Sequence, residues 1–360
     1  MFLHDNEDKL SDWGEFRLIN EIILPTLDPR TGSHVAGDDC AYFRAPAGSF
    51  AVTSDVGPKP LVWHIGHQSY FTWGWYSVAI NASDIASAGA EPLAFTSSVE
   101  APSSMLVTEF RDFFRGIATA CGELGFPNAG GNIREAPRFE CHGTGIGFVG
   151  DGPVLRRSGC VPGDLIVSVG ECGRFMTSYA RAKSNGLSAL SRPEWELLMT
   201  PRPPLQVMLK LRRGGFLTAA SDNSDGVLGA IWNIATASEC AVEIDMSDDL
   251  VPLEIREAAM SLGVDPWNLI FCWGDWQVIC AVRTDSVEPL NRLAEAENVR
   301  IQTLGRAVVG PPSIYGCRSG RCMPLNVIRN ENFTPASFNR STETQLEYML
   351  KSRLFRAEGR

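Results

Sequence analysis

Twice along this chain, short apolar runs of strand length alternate with longer runs in which apolar residues recur at helical spacing. The turn-rich stretch Gly150-Asp151-Gly152-Pro153 separates the two series. A chain patterned in this way packs helices against sheets, and does so in two places. In the first series, residues 50–55 read as a strand emptying into a loop, 70–89 as a long helix, 93–100 as a strand, 108–124 as a helix, and 140–149 as a strand of alternating small residues. The long helix presents Val78, Ile80, Ile85 and small alanines to a sheet, which leaves Asp84 on its opposite or terminal side. Residues 18–27 read as an amphipathic helix ended by Pro25 and the turn Asp28-Pro29-Arg30. In the second series, strands are expected at 165–169, 217–221, 242–244, 269–271 and 276–282, and helices at 175–185, 205–213 and 228–238, with a Pro-rich linker at 201–204. The reading is an α/β (α+β) chain with domains over 1–152 and 153–325 and a tail over 326–360 whose basic end, 347–356, is partly helical.

Charge excludes one class of partner. The formal net charge is -10, whereas a protein that grips nucleic-acid backbones needs a basic stripe to release counterions. No apolar run approaches membrane-spanning length, and the polar, acidic first 13 residues lack the basic start and apolar run of a secretory signal. The expectation is a cytoplasmic protein with no membrane and no nucleic acid among its partners. Ten cysteines are scattered from Cys40 to Cys322 without a Cys-x-x-Cys, which fits free thiols in a reducing compartment. Cys317 and Cys322 are close enough for a disulfide or a zinc half-site, but with no further His or Cys cluster the expectation there is unpaired thiols.

Chemistry is carried by four aspartate motifs set among small residues: Gly37-Asp38-Asp39, Thr53-Ser54-Asp55, Ser83-Asp84, and Asp222-Asn223-Ser224-Asp225-Gly226. Any one of them is more often a turn or a helix N-cap than a ligand. As a set, carboxylates gathered without lysines would repel unless a cation sits among them. Magnesium takes oxygen ligands, usually one or two carboxylates together with waters and substrate phosphates. No Gly-x-x-x-x-Gly-Lys-Ser/Thr loop and no kinase His-Arg-Asp loop is present, so those nucleotide-binding classes lack support.

With these motifs the chain resembles the thiamine-monophosphate kinase branch of the aminoimidazole-ribonucleotide synthetase superfamily. The matches follow family order through Gly14-Glu15-Phe16, Gly37-Asp38-Asp39-Cys40-Ala41, Thr53-Ser54-Asp55, the block from Asn81 to Pro92, Gly130-Gly131, Arg157-Ser158-Gly159, Pro162-Gly163-Asp164 and the Asp222 motif. The resemblance implies a two-domain PurM-like fold, with an N-terminal sheet that forms a barrel across a homodimer, a C-terminal α/β domain, and ATP with Mg2+ in a cleft between the domains. It implies metal ligation by Asp38, Asp55, Asp84, Asp222 and Asp225, with Thr53 and Ser54 as neighbouring oxygen donors. Catalysis would centre on Asp55, Asp84 and Asp225. Gly130, Gly131, Asn132, Arg157 and Ser224 would face the nucleotide, and His64, Trp273, Asp275 and Trp276 the acceptor.

Departures concentrate on the acceptor side. Asn132 stands where the family has an aspartate after the paired glycines, and Ile133-Arg134 replace threonines. The family's Gly-Gly-Glu-Asp-Tyr becomes Cys272-Trp273-Gly274-Asp275-Trp276, and the loop between Asp55 and His64 is about two residues longer. Trp273 and Trp276 could stack on a flat ring or pack as core aromatics. The Trp73-Gly74-Trp75-Tyr76 cluster reads as helix packing, and His64 and His67 as loop histidines. The leading expectation is Mg-ATP-dependent phosphorylation of thiamine monophosphate or a related small molecule. The alternatives are an ATP-dependent amide- or carbonyl-activating ligase or cyclase, and a non-catalytic nucleotide-binding paralogue.

Overall fold

The computed structural model describes residues 7–28, 47–335 and 341–356. The Asp38 motif lies outside them. Contacts divide the chain into two compact units, Met1–Ile85 with Ala90–Gly152 and Met199–Leu205, and Ala86–Gly89 with Pro153–Leu198 and Gln206–Arg360.

The first unit opens with short helices α1 (Leu10–Trp13) and α2 (Glu15–Leu18), then a π turn over Ile19–Ile23 and a 3-10 turn over Leu24–Thr26. The helix expected over 18–27 is thus the greater part of one continuous helical run from Glu15 to Thr26, whose form passes from α through π to 3-10 before Leu27 leaves it. Gly14, at φ 74°, separates α1 from α2, and Pro25, which has no N–H to donate, lies in the terminal 3-10 turn. Then come β1 (Ser49–Val56), α3 (Tyr70–Ser87), β2 (Glu91–Ala101), α4 (Val107–Leu124), β3 (Asn128–Glu135) and β4 (Glu140–Gly150). The sheet order is β1-β4-β2-β3, with β2 and β3 parallel across the α4 crossover and the other pairs antiparallel. This sheet is open: among the described residues β1 and β3 are its edges, and no barrel is closed within one chain.

Alternation on β4 determines how α3 sits. Gly143, Gly145 and Gly147 all face inward. A Cβ added at Gly143 would lie 2.5 Å from Asn81 Nδ2, and one at Gly147 2.8 Å from the Ala90 Cβ and 2.9 Å from Ile85. Three missing side chains therefore let α3 lie directly on the sheet, with Asn81 and Ile85 against it. Asp84 shares that side instead of the opposite one, as its contact with Thr53 on β1 shows. On its other flank α3 meets α4 just as closely, since a Cβ at Gly74 would collide with Phe113 O at 2.0 Å and one at Gly116 with Phe71 O at 2.1 Å. Trp73, Trp75 and Tyr76 are buried in this packing.

The second unit carries a seven-stranded sheet of order β11-β10-β7-β9-β5-β8-β6, where β5 is Leu165–Val169, β6 Leu217–Asp222, β7 Ala241–Asp245, β8 Val278–Val282, β9 Ile301–Val308, β10 Ser313–Arg318 and β11 Arg321–Pro324. Among the described residues of this sheet only β7 and β10 pair in parallel. β8 is buried along its whole length, which explains its unbroken apolar run. The helices are α5 (Arg174–Asn185), α6 (Arg192–Met199), α7 (Leu205–Arg213), α8 (Val227–Ala237), α9 (Leu253–Leu262), α10 (Pro266–Ile270), α11 (Val287–Ala296) and α12 (Thr342–Lys351).

Two expectations fail in this unit. The apolar run 269–271 is no strand: Leu269 and Ile270 end α10, which Asp265 caps by accepting from Trp267 N at 2.9 Å and which Pro266 starts. Cys317 and Cys322 are not free thiols but a disulfide. Ser319 and Gly320, both at positive φ, form the two-residue turn joining β10 to β11, and that hairpin sets the two cysteines directly opposite each other with Cα atoms 4.0 Å apart.

Candidate functional site

In the first unit, strand alternation sends Thr53 and Asp55 to the inner face of β1, where α3 delivers Asp84. Thr53 Oγ1 lies 3.1 Å from Asp55 Oδ2 and also makes a short contact with Asp84 Oδ2. A hydroxyl has one proton and can donate to only one of two carboxylates. The second carboxylate is left facing an oxygen, and no basic side chain pairs with Asp55 among the described residues. Two acidic groups converging on one hydroxyl make a donor set of hard oxygens suited to a divalent cation. Ser54, one residue on, points to the other face, where its hydroxyl donates to Gly143 O and meets Thr144 Oγ1, each at 3.1 Å. It is therefore not brought to the Asp55–Asp84 pair.

Gly130 and Gly131 lie on β3 where its pairing with β2 slips by one residue. Their φ values are 102° and 156°, and a Cβ on Gly131 would lie 1.7 Å from Ser97 O, so strand approach alone demands glycine there. Asn132 pairs with Ser98, which in turn lies opposite His142 on β4, and His142 opposite Val56 on β1. That row belongs to the exposed face of the sheet, so within one chain Asn132 is not on the face that carries Asp55. His64 is exposed on a 3-10 turn over Leu61–Ile65. His67 is half-buried, and burial lowers its pKa.

In the second unit the Asp222 motif is the turn between β6 and α8. Asp222 is buried, accepts Ser224 N at 3.1 Å, and has Arg157 Nη2 at 3.9 Å. Burial pushes its pKa up, against the pull of the Ser224 bonds and of Arg157, and Asp225 pushes it further. A cation against this pair would relieve both strains. Gly226, at φ 86°, turns the chain into α8, and a Cβ there would lie 2.9 Å from Phe271 O.

The same turn is tied down from inside the unit by residues that the motifs did not reveal. Asn223 donates to Gln277 Oε1 at 2.9 Å and to Cys272 O at 3.4 Å, binding the aspartate turn to the segment that holds Trp273 and Trp276. Asn330 N donates to Asp225 O at 2.9 Å and its Nδ2 to Ser224 O at 3.5 Å. Gln345 of α12 in turn donates to Asn330 Oδ1 at 3.4 Å. A Cβ on Gly226 would meet Met349 Cε at 3.1 Å. The tail, silent in sequence, thus buttresses the turn.

Asp275 has a different occupation from the acceptor contact expected of it. Its two oxygens accept Gly173 N at 2.7 Å and Phe175 N at 2.6 Å, which caps the start of α5. Although the residue keeps some exposure, its carboxylate is enclosed, and burial pushes its pKa up to about 7 against those bonds. Trp273, intermediate in exposure, packs on Phe175 with ring centroids 6.0 Å apart. Trp276 is held at φ 59°, a conformation that is unusual for a bulky residue and is often found where a site imposes it. Among the described residues the one group of three potential metal ligands is Glu243 with Cys317 and Cys322, and its sulfurs are joined to each other.

Comparison with known proteins agrees with the motif order. Residues 37–149 match the family of the AIR synthase related protein, N-terminal domain, and residues 161–315 the AIR synthase related protein, C-terminal domain. A thiamine-monophosphate kinase of Methanospirillum hungatei is 29% identical over 270 residues, 74% of this chain and 87% of that one. Another, of Methanopyrus kandleri, is 32% identical over 243 residues, 65% of this chain and 76% of that one. The crystal structure of thiamine-monophosphate kinase from Stenotrophomonas maltophilia superposes with a TM-score of 0.71 at 25% identity, covering 86% of this chain and 97% of that one. The chain belongs to the AIR synthase related family, and within it to the thiamine-monophosphate kinase group.

Proposed function

We propose that the protein is an ATP-dependent kinase that transfers the γ-phosphoryl group to thiamine monophosphate or a closely related phosphorylated acceptor. The observation that carries this reading is the convergence of Asp55 and Asp84 on the Thr53 hydroxyl. Phosphoryl transfer needs positioning and charge neutralisation more than covalent chemistry. Mg2+ bound with the nucleotide would neutralise triphosphate charge; in the first unit Asp55 and Asp84 would hold such an ion, in the second Asp222 and Asp225 are a carboxylate pair suited to one, and Asp38 is assigned to the same role from sequence. An oxygen of the acceptor phosphate attacks the γ-phosphorus as the bond to the β-bridging oxygen breaks, and ADP leaves. Arg157, half-exposed beside Asp222, is the basic group suited to the nucleotide phosphates. Trp276 and His64 remain candidates for the acceptor side, whereas Asp275 acts there only through α5.

We also infer a homodimer built on the outer face of the first unit's sheet. Cross-strand pairing lines up Phe50 with Phe148 and Val52 with Ile146 on that face, and Phe50, Val52 and Val56 are 40%, 66% and 53% exposed. A second copy covering this face would bury the apolar patch. Among the described residues no helix is long and apolar enough to cross a membrane, and a cytoplasmic location suits an enzyme that draws on ATP.

Incubation with ATP, magnesium and thiamine monophosphate tests the main reading, with thiamine diphosphate and ADP as the expected products in equal amounts. Release of inorganic phosphate with an amidated or cyclised product from another acceptor would replace it with the activating-ligase reading. Nucleotide binding without turnover across acceptors would mark a non-catalytic paralogue.

A further inference from the structure

A cavity of about 390 Å³ in the second unit lies apart from every motif above. Its walls are the link from Gly263 to Asp265, Asn268 of α10, Arg318 at the end of β10, and residues 350–355 at the end of α12. Arg318 and the 350–355 wall lie beyond residue 315, where the match to the family's C-terminal domain stops.

The charges at this cavity oppose those of the chain as a whole. Arg318, Lys351 and Arg353 face a single carboxylate, Asp265, in a protein of formal net charge -10. Asp265 is already engaged: both its oxygens accept from Arg318 Nη2, at 3.1 and 3.0 Å, and one accepts Trp267 N at 2.9 Å. Arg318 Nη1 has no acceptor and Arg353 no anionic partner among the described residues, whereas Arg318 Nε, also without an acceptor, is sealed from solvent. Lys351 holds only the exposed Glu347, at 3.1 Å. Cations commonly gather at a helix C-terminus to answer its partial negative charge. Here Asn268 Nδ2 already meets that need at α12, donating to Met349 O at 3.2 Å and Ser352 O at 3.1 Å. The positive excess is left for something else, and Val264, Leu354 and Phe355 supply apolar surface beside it.

We propose that this cavity binds a small phosphate ester, its phosphate held by Arg318, Lys351 and Arg353 and its organic part against Leu354 and Phe355. Guanidinium and ammonium groups bind phosphate through charge-assisted hydrogen bonds, and a volume of this size suits a small organic molecule more than a bare ion. α12 runs from this cavity to the aspartate turn, which it reaches through Met349 and through Gln345 and Asn330. Occupancy is therefore transmitted to the Asp222–Asp225 carboxylates, by a coupling that acts equally in both directions. None of this depends on which acceptor the protein phosphorylates.

Phenyl phosphate is the probe, titrated calorimetrically into the full chain without nucleotide or metal. Binding is expected in the parent, with phenol inert, and at least tenfold weaker binding in the exposed double variant Lys351→Glu/Arg353→Glu at an unchanged melting temperature. Asp55→Asn, in the first unit and off the α12 path, should bind as the parent does. Slower hydrogen exchange at residues 222–227 on binding is expected in the parent, and its absence would overturn the coupling. Failure to bind, or equal binding in the double variant, would overturn the site. Loss of binding in Asp55→Asn would assign the probe to the aspartate sites instead.

Discussion

One threonine proton between two carboxylates is the smallest unit of this protein's chemistry, and its consequence is direct. Asp55→Asn removes a full negative charge from a centre that must offset a metal-bound triphosphate, and Asp225→Asn does the same in the second unit. Each should lower ADP release by about 10²-fold or more while leaving the melting curve near that of the parent; near-parental turnover in both would defeat the ligand assignment. Asp275 behaves differently, because its buried carboxylate works on α5. Its folded pKa is raised, from an ordinary 3.8 to about 7, so the native state holds this proton more tightly than the unfolded chain. The stability Asp275 confers is thus fully present below about pH 4, falls as pH rises through the window to about 7, and stays level above it. Asp275→Asn, which keeps an oxygen for the cap but cannot ionise, should flatten this component of the melting temperature across pH 4 to 7. An identical pH profile in parent and variant would count against the raised pKa.

Elements explain why the aspartates meet. α3 can bring Asp84 to Thr53 only because β4 offers glycine at the three successive inward positions 143, 145 and 147. Gly147→Val should force α3 off the sheet, since even a Cβ there lies within 2.9 Å of Ala90 and Ile85. A loss of about 1–3 kcal/mol in urea unfolding is expected, with activity falling as the Asp84 contact loosens; an unchanged midpoint would show that the helix has room to move. At this scale the sequence was most legible where periodicity is long: α3, α4, α5, α7 and β5 lie within two residues of their expected bounds. It was least legible where another force overrode the pattern. β3 was missed because Gly130 and Gly131 resemble a loop when their work is to pass close to Ser97. The apolar 269–271 run fits a strand or a buried helix equally well until the Asp265 cap decides. α12 buttresses the aspartate turn through Gln345 and Met349, contacts between distant positions that no local spacing encodes. The motif residues were readable as a set, yet the inward turn of Asp84, the outward row of Asn132 and the capping duty of Asp275 each follow from register or packing.

At the scale of the molecule, the outer face of the first unit's sheet is an apolar surface that no other described element covers. Phe50, Val52 and Val56 project from an edge strand that pairs only with β4 among the described residues, and their neighbours Phe148 and Ile146 continue the patch across the sheet. Net charge opposes self-association, but a formal charge of -10 spread over a protein surface is largely screened beyond about 8 Å at physiological ionic strength. Burial of the patch gains about 25 cal/mol for each Å² of apolar area covered, so apolar contact prevails at close range. The parent should be a dimer at micromolar concentration by light scattering. Val52→Asp combined with Ile146→Asp sets two like charges opposite each other in one row and twice that number against a second copy, so it should yield monomer. Both positions face outward, so the variant's circular dichroism spectrum should match the parent's. A parent that is monomeric over the same range, or a double variant that still dimerises, would mean that this face is not the interface.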